Sequence, residues 1–381
     1  MKKEAHIQNE VIVLGGNHHN ELGIIRSLGE VGCKVYFIAV NVKNSFVVKS
    51  KYITDYWFAF EEDDLLDILL QKFSDGKLKP IIIPSNDDTV AILDKNLDVL
   101  KKKFILPNIK NQENAILKQM NKMQMTNLAE KHGFLVPKGF IFNLNDIENL
   151  QSYLDKKEIE YPCIVKPLQS LEGPKSDIII NNNINELAAN LKKVKDKYNE
   201  VLIQEYIRKE EEVGVQGLAQ KDAKIIIPSV IKRIRESSTA PSTTYAKLIN
   251  PQMPVEIEKL KSMIKDLEYK GIFDVDLIVS KGRYYFIEIN FRNGAYGYAV
   301  TKAGVNMPEL WCLDAIGKNI SISKTTINKR TTLMSEFADF KNIFLKKVNI
   351  IKWFSQYITA DAHLIINRKD LKPFIFKFIY R

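Results

Sequence analysis

Cysteine is scarce in this chain. Cys33, Cys163 and Cys312 are its three thiols, set far apart along 381 residues. No CxxC or Cys/His spacing accompanies them, which argues against a disulfide framework and against a zinc site. Long apolar runs are also missing. No stretch reaches the length of a membrane span, and the opening MKKEAHIQNE lacks the apolar core of a signal peptide. A cytoplasmic protein with no membrane span is therefore expected. Repeats and low-complexity tracts do not stand out. Acidic charge is in deficit, with 46 Asp and Glu against 56 Lys and Arg. The excess is scattered as single lysines, which reads as a solvated basic surface, so no specific nucleic-acid partner is expected. No Ser-His-Asp or Cys-His signature points to a protein nucleophile.

What is present is an alternation of strands and helices. VIVLGG at 11–16 reads as a strand, NELGIIRSLGEVG as a helix with Leu22, Ile25, Leu28 and Val31 on one face, and KVYFIAVN as a second strand. A helix near 62–73, the strand KPIIIPSND and a helix over DTVAILDKNLDVLKKKF continue the pattern. The dinucleotide fingerprint G-x-G-x-x-G is absent, and Asn41 stands where an acidic residue would end the second strand. The loops GGNHHNE and PSNDD instead end strands on the side where ligands enter open α/β sheets. Gly16, Asn17, His18, Asn20, Ser85 and Asp87 are therefore candidate substrate contacts.

Further along, polar side chains interrupt apolar strands. YPCIVKPL at 161–168 carries Lys166 inside a strand, where a buried ammonium needs an anion such as phosphate. About forty residues later, Gln204-Glu205-Tyr206-Ile207 has the look of a hinge offering backbone donors and acceptors. FDVDLIVS and YYFIEIN read as a hairpin closed by a three-residue connection, Lys281-Gly282-Arg283. That register sets Asp276 opposite Glu288 and Asp274 opposite Asn290. Opposed carboxylates need a positive charge between them, and hard oxygen donors of this kind suit magnesium. A structural ion-pair cluster with Arg292, Lys247 or Arg233 satisfies them equally well. Arg233 and Arg235, on the strand before the loop ESSTAPSTTYAK, are further candidates for holding a substrate carboxylate.

The lysine in an apolar strand, the acidic hinge strand and the closing E-x-N-x-R together resemble the ATP-grasp superfamily, in its carboxylate–amine ligase branch. The resemblance covers roughly residues 10 to 315. It implies an α/β fold: an N-terminal open parallel sheet (pre-ATP-grasp, Rossmann-like) over 1–112, then a two-lobed α+β ATP-grasp domain over 113–315 with a lid about 135–203, and a C-terminal extension over 316–381. It also implies roles. Lys122 and Lys166 would bind phosphate, although the residue before Lys122 is Asn121 rather than the usual Asp. Glu205, Tyr206 and Ile207 would line the adenine pocket and Glu212 would reach the ribose. Asp276, Glu288 and Asn290 would hold magnesium, with manganese able to replace it. Arg292 would contact the transferred phosphate or the acyl intermediate, making Arg292 and Lys166 the catalytic pair. The lid loop LQSLEGPKS carries a single glycine, Gly173, where the family is richer in them.

The implied activity is ATP-dependent amide formation from a carboxylate and an amine through an acylphosphate, with an amino acid joined to a cell-wall or capsule precursor as one version. ATP and magnesium are the implied cofactors. Small-molecule acid and amine substrates are the implied partners, and a homodimer is compatible with the sequence. The alternative is a nucleotide-binding regulatory protein that keeps the fold without turnover. NAD-dependent chemistry on the first domain and RNA binding through net charge are weaker rivals, the first lacking its fingerprint and the second resting on charge alone.

Overall fold

A computed structural model describes residues 7–169, 171, 177–237, 242–251 and 253–379. The lid loop with Gly173 and the middle of ESSTAPSTTYAK lie largely outside the described residues. The chain divides into two compact units. The larger holds residues 1–116, 214–274 and 290–381, and the smaller holds 117–213 and 275–289.

The larger unit opens with β1 (Val11–Gly15), α1 (His19–Gly29), β2 (Val35–Val40), β3 (Ile53–Ala59), α2 (Glu62–Phe73), β4 (Ile81–Pro84), α3 (Asp87–Lys95), α4 (Leu97–Leu100), β5 (Asn108–Ile109) and α5 (Ala115–Gln119). β1 to β4 form a parallel sheet in the order β3-β2-β1-β4. Its strands β1, β2 and β4 are buried at every position because both faces are covered, while the edge strand β3 is largely exposed. Val11, Val13, Val35 and Phe37 pack with Leu22, Ile25 and Leu28 of α1, while Ile12, Leu14, Tyr36 and Ile38 pack with Leu65 and Leu69 of α2. The helix expected over 88–104 is broken: Asn96, at φ −114°, ends α3 and starts α4.

The smaller unit contains α6 (Lys122–Lys131), β6 (Gly139–Asn143), α7 (Leu150–Lys157), β7 (Cys163–Pro167), β8 (Ile179–Asn181), α8 (Ile184–Val194) and β9 (Glu200–Glu205). Its four strands pair antiparallel in the order β6-β9-β7-β8. Cys163, Val165, Val201 and Ile203 face α7 and α8, burying against Leu150, Leu154, Leu187 and Leu191. Alternation then puts Ile164, Lys166, Leu202 and Gln204 on the opposite face.

The rest of the chain forms β10 (Glu211–Ala219), β11 (Ile225–Glu236), β12 (Thr243–Ile249), α9 (Pro254–Leu267), β13 (Tyr269–Ser280), β14 (Arg283–Asn290), α10 (Gly297–Lys302), α11 (Met307–Ala315), β15 (Thr331–Met334), α12 (Glu336–Phe344), α13 (Ile350–Thr359), β16 (Ala362–His363) and α14 (Lys372–Ile379). These strands run in the order β14-β13-β10-β11-β12-β15-β16, with β5 against the start of β13.

Residues 316–381 fold within the larger unit, fixed there by buried ion pairs. Arg26 of α1, fully buried, donates from Nε to Asp370 at 3.0 Å and from its other nitrogens to the carbonyls of Leu364, Ile365 and Asp370. Asp370 also accepts from Ser50 Oγ and the Lys51 amide. Arg235 forks onto both oxygens of Asp339, at 2.7 and 2.5 Å.

Candidate functional site

In the smaller unit the site is built around Lys166. Strand alternation turns it away from the α7 and α8 core, and its Nζ donates to Gln204 Oε1 at 3.1 Å. Gln204 lies diagonally across the β7–β9 ladder and is buried. Burial pushes the Lys166 ammonium down to about 8. Glu288 works against that shift and Lys122 adds to it. Lys122 starts α6, where Asn121 accepts from the amides of Met123 and Gln124. Asn121 therefore serves as a helix cap, a role that Asn fills as well as Asp. Lys122 Nζ donates to the Gln169 carbonyl at 3.1 Å, just past the end of β7. Two lysines are thus gathered on one surface, with Glu288 close enough to act on Lys166.

The hinge residues follow β9. The Glu205 carboxylate accepts from the Lys138 amide, and the Glu205 and Tyr206 amides donate to the carbonyls of Lys138 and Pro162. Those two donors are spent inside the protein. Glu212 is paired with Lys209 at 2.7 Å. The sequence reading passed over Gln204 as a site residue. Its signal was an amide in an otherwise apolar strand.

The hairpin turn differs from the three-residue connection expected. Lys281 and Gly282 alone make it, at φ 49° and 68°, because Lys281 accepts a left-handed backbone beside the glycine. A turn of that length starts the ladder with Ser280 opposite Arg283, one residue out of the predicted register. Burial does not separate the two faces cleanly: Val275, Leu277 and Ile289 are buried and Asp276 and Glu288 half-buried, but Asp274 and Asn290 are buried as well and Ile287 is half-buried.

Among the described residues no group of three or more His, Cys, Asp or Glu could hold a metal ion. A cation at the hairpin would thus draw two carboxylates, Asp276 and Glu288, and the Asn290 amide from the protein. All three are hard oxygen donors, and they leave the remaining positions to phosphate and water, as magnesium prefers. The donor chemistry fits.

The larger unit holds a separate cavity of about 300 Å³, lined by Gly16, Asn17, His18, Asn20, Ser85 and Asp87 together with Glu21, Asn86, Arg292 and Ala295. Every substrate candidate from the two N-terminal loops lines it. Several of them also hold the loops in place. The Asn20 amide donates to the carbonyls of Ser85 and Asn293, both at 2.8 Å, and Asn293 donates back to it. Asn17 accepts from the Phe46 amide, and His18 caps α1. Ser85 donates to Glu21 Oε1, which also accepts from the Gly16 amide. Glu21 was missed because an acidic residue in a first helical turn reads as dipole complementarity. It is buried, burial raises its carboxyl, and its Oε2 has no hydrogen-bond partner among the described residues. Gly15 makes room for it, since a Cβ there would lie 2.3 Å from Glu21 Cγ. Arg292 stands at the same cavity, 3.3 Å from Asp87 and 3.7 Å from Asp274.

Arg233 and Arg235 do not join that cavity's lining. Arg235 is committed to Asp339 and Gln356, so its fork is not open to a substrate carboxylate. Arg233 lies over the Tyr296 ring, 6.0 Å from its centroid.

Comparison with known proteins decides what this arrangement belongs to. Residues 119–295 match the model of the ATP-grasp domain. They form an ATP-grasp domain. The chain is 26% identical over 218 residues to the formate-dependent phosphoribosylglycinamide formyltransferase of Sulfurisphaera tokodaii, covering 54% of this chain and 52% of that one. It is 23% identical over 328 residues to D-aspartate ligase of Enterococcus faecium, covering 79% and 76%. The chain thus spans about half the length of the first and three quarters of the second. Among solved structures, an L-amino acid ligase from Bacillus licheniformis superposes with a TM-score of 0.65 at 16% identity, covering 86% of this chain and 79% of that one. The N5-carboxyaminoimidazole synthetase of Staphylococcus aureus, complexed with ADP, gives 0.69 at 16%, covering 89% and 86%. At that identity the structures establish the ATP-grasp fold. No helix of the described residues is long and apolar enough to cross a membrane.

Proposed function

We propose that the protein is an ATP-dependent carboxylate–amine ligase working through an acylphosphate. The observation that carries the reading is Lys166, an ammonium set in an apolar strand, hydrogen-bonded to the neutral Gln204 and pushed down to about 8 by burial. A phosphate would supply the charge it lacks. Lys122, at the start of α6 with its Nζ on the Gln169 carbonyl just past that strand, would share the load, with Tyr206 and Ile207 at the adenine and Glu205 and Glu212 shaping the edge of the pocket. Bound magnesium would neutralise phosphate charge, held by Asp276, Glu288 and Asn290.

Phosphoryl transfer to a carboxylate needs positioning and charge cancellation more than covalent chemistry from the protein. Lys166 and Lys122 would fix the phosphates, and Arg292 would hold the acid or the acylphosphate it becomes. The cavity of the larger unit suits an amino acid: it sets the Arg292 cation beside the carboxylates of Asp87 and Glu21, so both ends of a zwitterion find opposite charges. Glu21 Oε2 would accept a proton from the attacking ammonium, and its raised carboxyl favours that. The names of the relatives, D-aspartate ligase among them, support an amino acid as one substrate, and a cell-wall or capsule precursor is our proposal for the other. Cysteine and histidine nucleophiles have no part in this scheme.

The test is phosphate release from ATP and magnesium against paired libraries of acids and amino acids, with products read by mass. An amide appearing only when both partners are present supports the ligase. ATP binding without phosphate release for any pair would sink it in favour of a regulatory nucleotide-binding protein.

A further inference from the structure

The last three helices carry an outward surface that the ligase reading does not use. On α13, Trp353 is buried, yet Ile351, Phe354 and Ile358 are exposed at spacings of three and four. Preceding and along α14, Leu371, Ile375, Phe378 and Ile379 follow the i, i+4, i+7, i+8 pattern of an amphipathic stripe, and all four are exposed. α12 links the two. Its Phe337 meets Phe374 and Phe378 of α14 at ring separations of 5.4 and 6.5 Å, and its Phe340 meets Trp353 of α13 at 5.3 Å. Phe337, Phe340 and Phe344 lie on one stripe of α12, and Phe344 is 73% exposed, which no core side chain would be. Stripes with this spacing normally face a core. Here they face outward.

The charge around these stripes is one-sided. Between 336 and 379 the carboxylates are Glu336, Asp339, Asp361 and Asp370. Glu336, Asp339 and Asp370 are buried and satisfied: Glu336 by the amides of Ile365 and Ile366, Asp339 by Arg235, Asp370 by Arg26. Asp361 is exposed and paired with Lys329. Meanwhile Lys341, Lys346, Lys347 and Lys352 are exposed around α12 and α13, and Arg368, Lys369 and Lys372 are exposed before and at the start of α14. Folding turns three of the four anions of this segment inward, pairs the fourth with Lys329, and leaves these seven cations out.

We propose that α12, α13 and α14 form a docking face for an anionic lipid surface, with the apolar stripes entering the headgroup boundary and the lysines meeting lipid phosphates. Helices that combine exposed apolar stripes with a basic surround bind in this way, lying in the plane of the interface. A second copy of the chain is the less suitable occupant, because a symmetric contact would bring the same lysines against each other. The proposal does not depend on the ligase reading.

The test is co-sedimentation of the full chain with phosphatidylcholine vesicles, with and without phosphatidylglycerol, alongside sedimentation equilibrium of the protein alone. Binding to the anionic vesicles only is expected. Ile351→Ser with Phe378→Ser should weaken it at least about tenfold, and Lys346→Glu with Lys347→Glu by more than about fivefold, falling further at high salt. All four residues are exposed, so an unchanged thermal midpoint certifies the variants. If the apolar pair lowers it, the lysine pair decides alone. Failure to bind anionic vesicles, equal binding to neutral ones, or binding indifferent to the deciding variants overturns the proposal. So does a stable dimer that the apolar pair dissociates.

Discussion

Buried cations occur in both units, and they are treated differently. In the larger unit Arg26 and Arg235 are each matched by a carboxylate, Asp370 and Asp339, and their remaining donors meet carbonyls or an amide. In the smaller unit Lys166 has a neutral amide for a hydrogen-bond partner, and Glu288 is too weak an influence to offset burial. A matched cation is part of the architecture, since removing one partner strands the other charge. An under-matched cation costs stability, and that cost is recovered only when an anion arrives. The difference separates structural charge from charge kept for a ligand.

The largest expected effect lies on the structural side. Arg26→Met strands Asp370 and should cost roughly 3–5 kcal/mol of stability, read as a fall in denaturation midpoint. Lys166→Met should do the reverse. Its denaturation midpoint should hold or rise, while nucleotide affinity drops by at least about tenfold, the loss expected for a charge-assisted phosphate contact. If Lys166→Met destabilised the protein as much as Arg26→Met does, the two cations would be of one kind and the comparison would fail.

A smaller effect comes from pH. The Lys166 proton is held less tightly in the folded chain, at about 8, than in the unfolded one, near 10.5. Between those values the unfolded state binds more protons, so this residue's contribution to stability rises with pH, and its penalty is fully present below pH 8. The stability gap between Lys166→Met and the parent should therefore close as pH rises through that window. Nucleotide affinity should fall over the same range, with proton uptake on binding visible as a buffer-dependent heat in calorimetry. An affinity flat from pH 7 to about 10 would contradict the assignment. The smallest change sharpens the contrast. Gln204→Glu would give Lys166 the carboxylate that the arginines already have. Affinity for ATP should then weaken by several-fold, about 1 kcal/mol, and its alkaline decline should move to higher pH.

Much of this site was legible in the chain itself. The unbroken apolar runs of β1 and β2 announced a sheet covered on both faces, and Lys166 was conspicuous as a charge inside β7. Asp276 and Glu288 showed themselves by alternation against Val275, Leu277 and Ile289. The turn between them was misjudged by one residue, because a lysine at positive φ leaves no compositional trace. Asn17, Asn20 and Ser85, read as candidate substrate contacts, line the cavity and also fasten their loops, while Glu21, which lines it too, carries no local pattern that marks it.

Sequence alone determined that polar side chains interrupt these strands, Lys166 in β7 and Asp276 and Glu288 in the hairpin, because a two-residue repeat is local and can be read within a few positions. Only tertiary structure decided which charges were already answered. Arg26 and Asp370 are 344 residues apart, and Arg235 and Asp339 are 104 apart. No short-range pattern records such pairings, since electrostatic matching depends on distance in space and on the exclusion of water, and both are set only when the whole chain has closed.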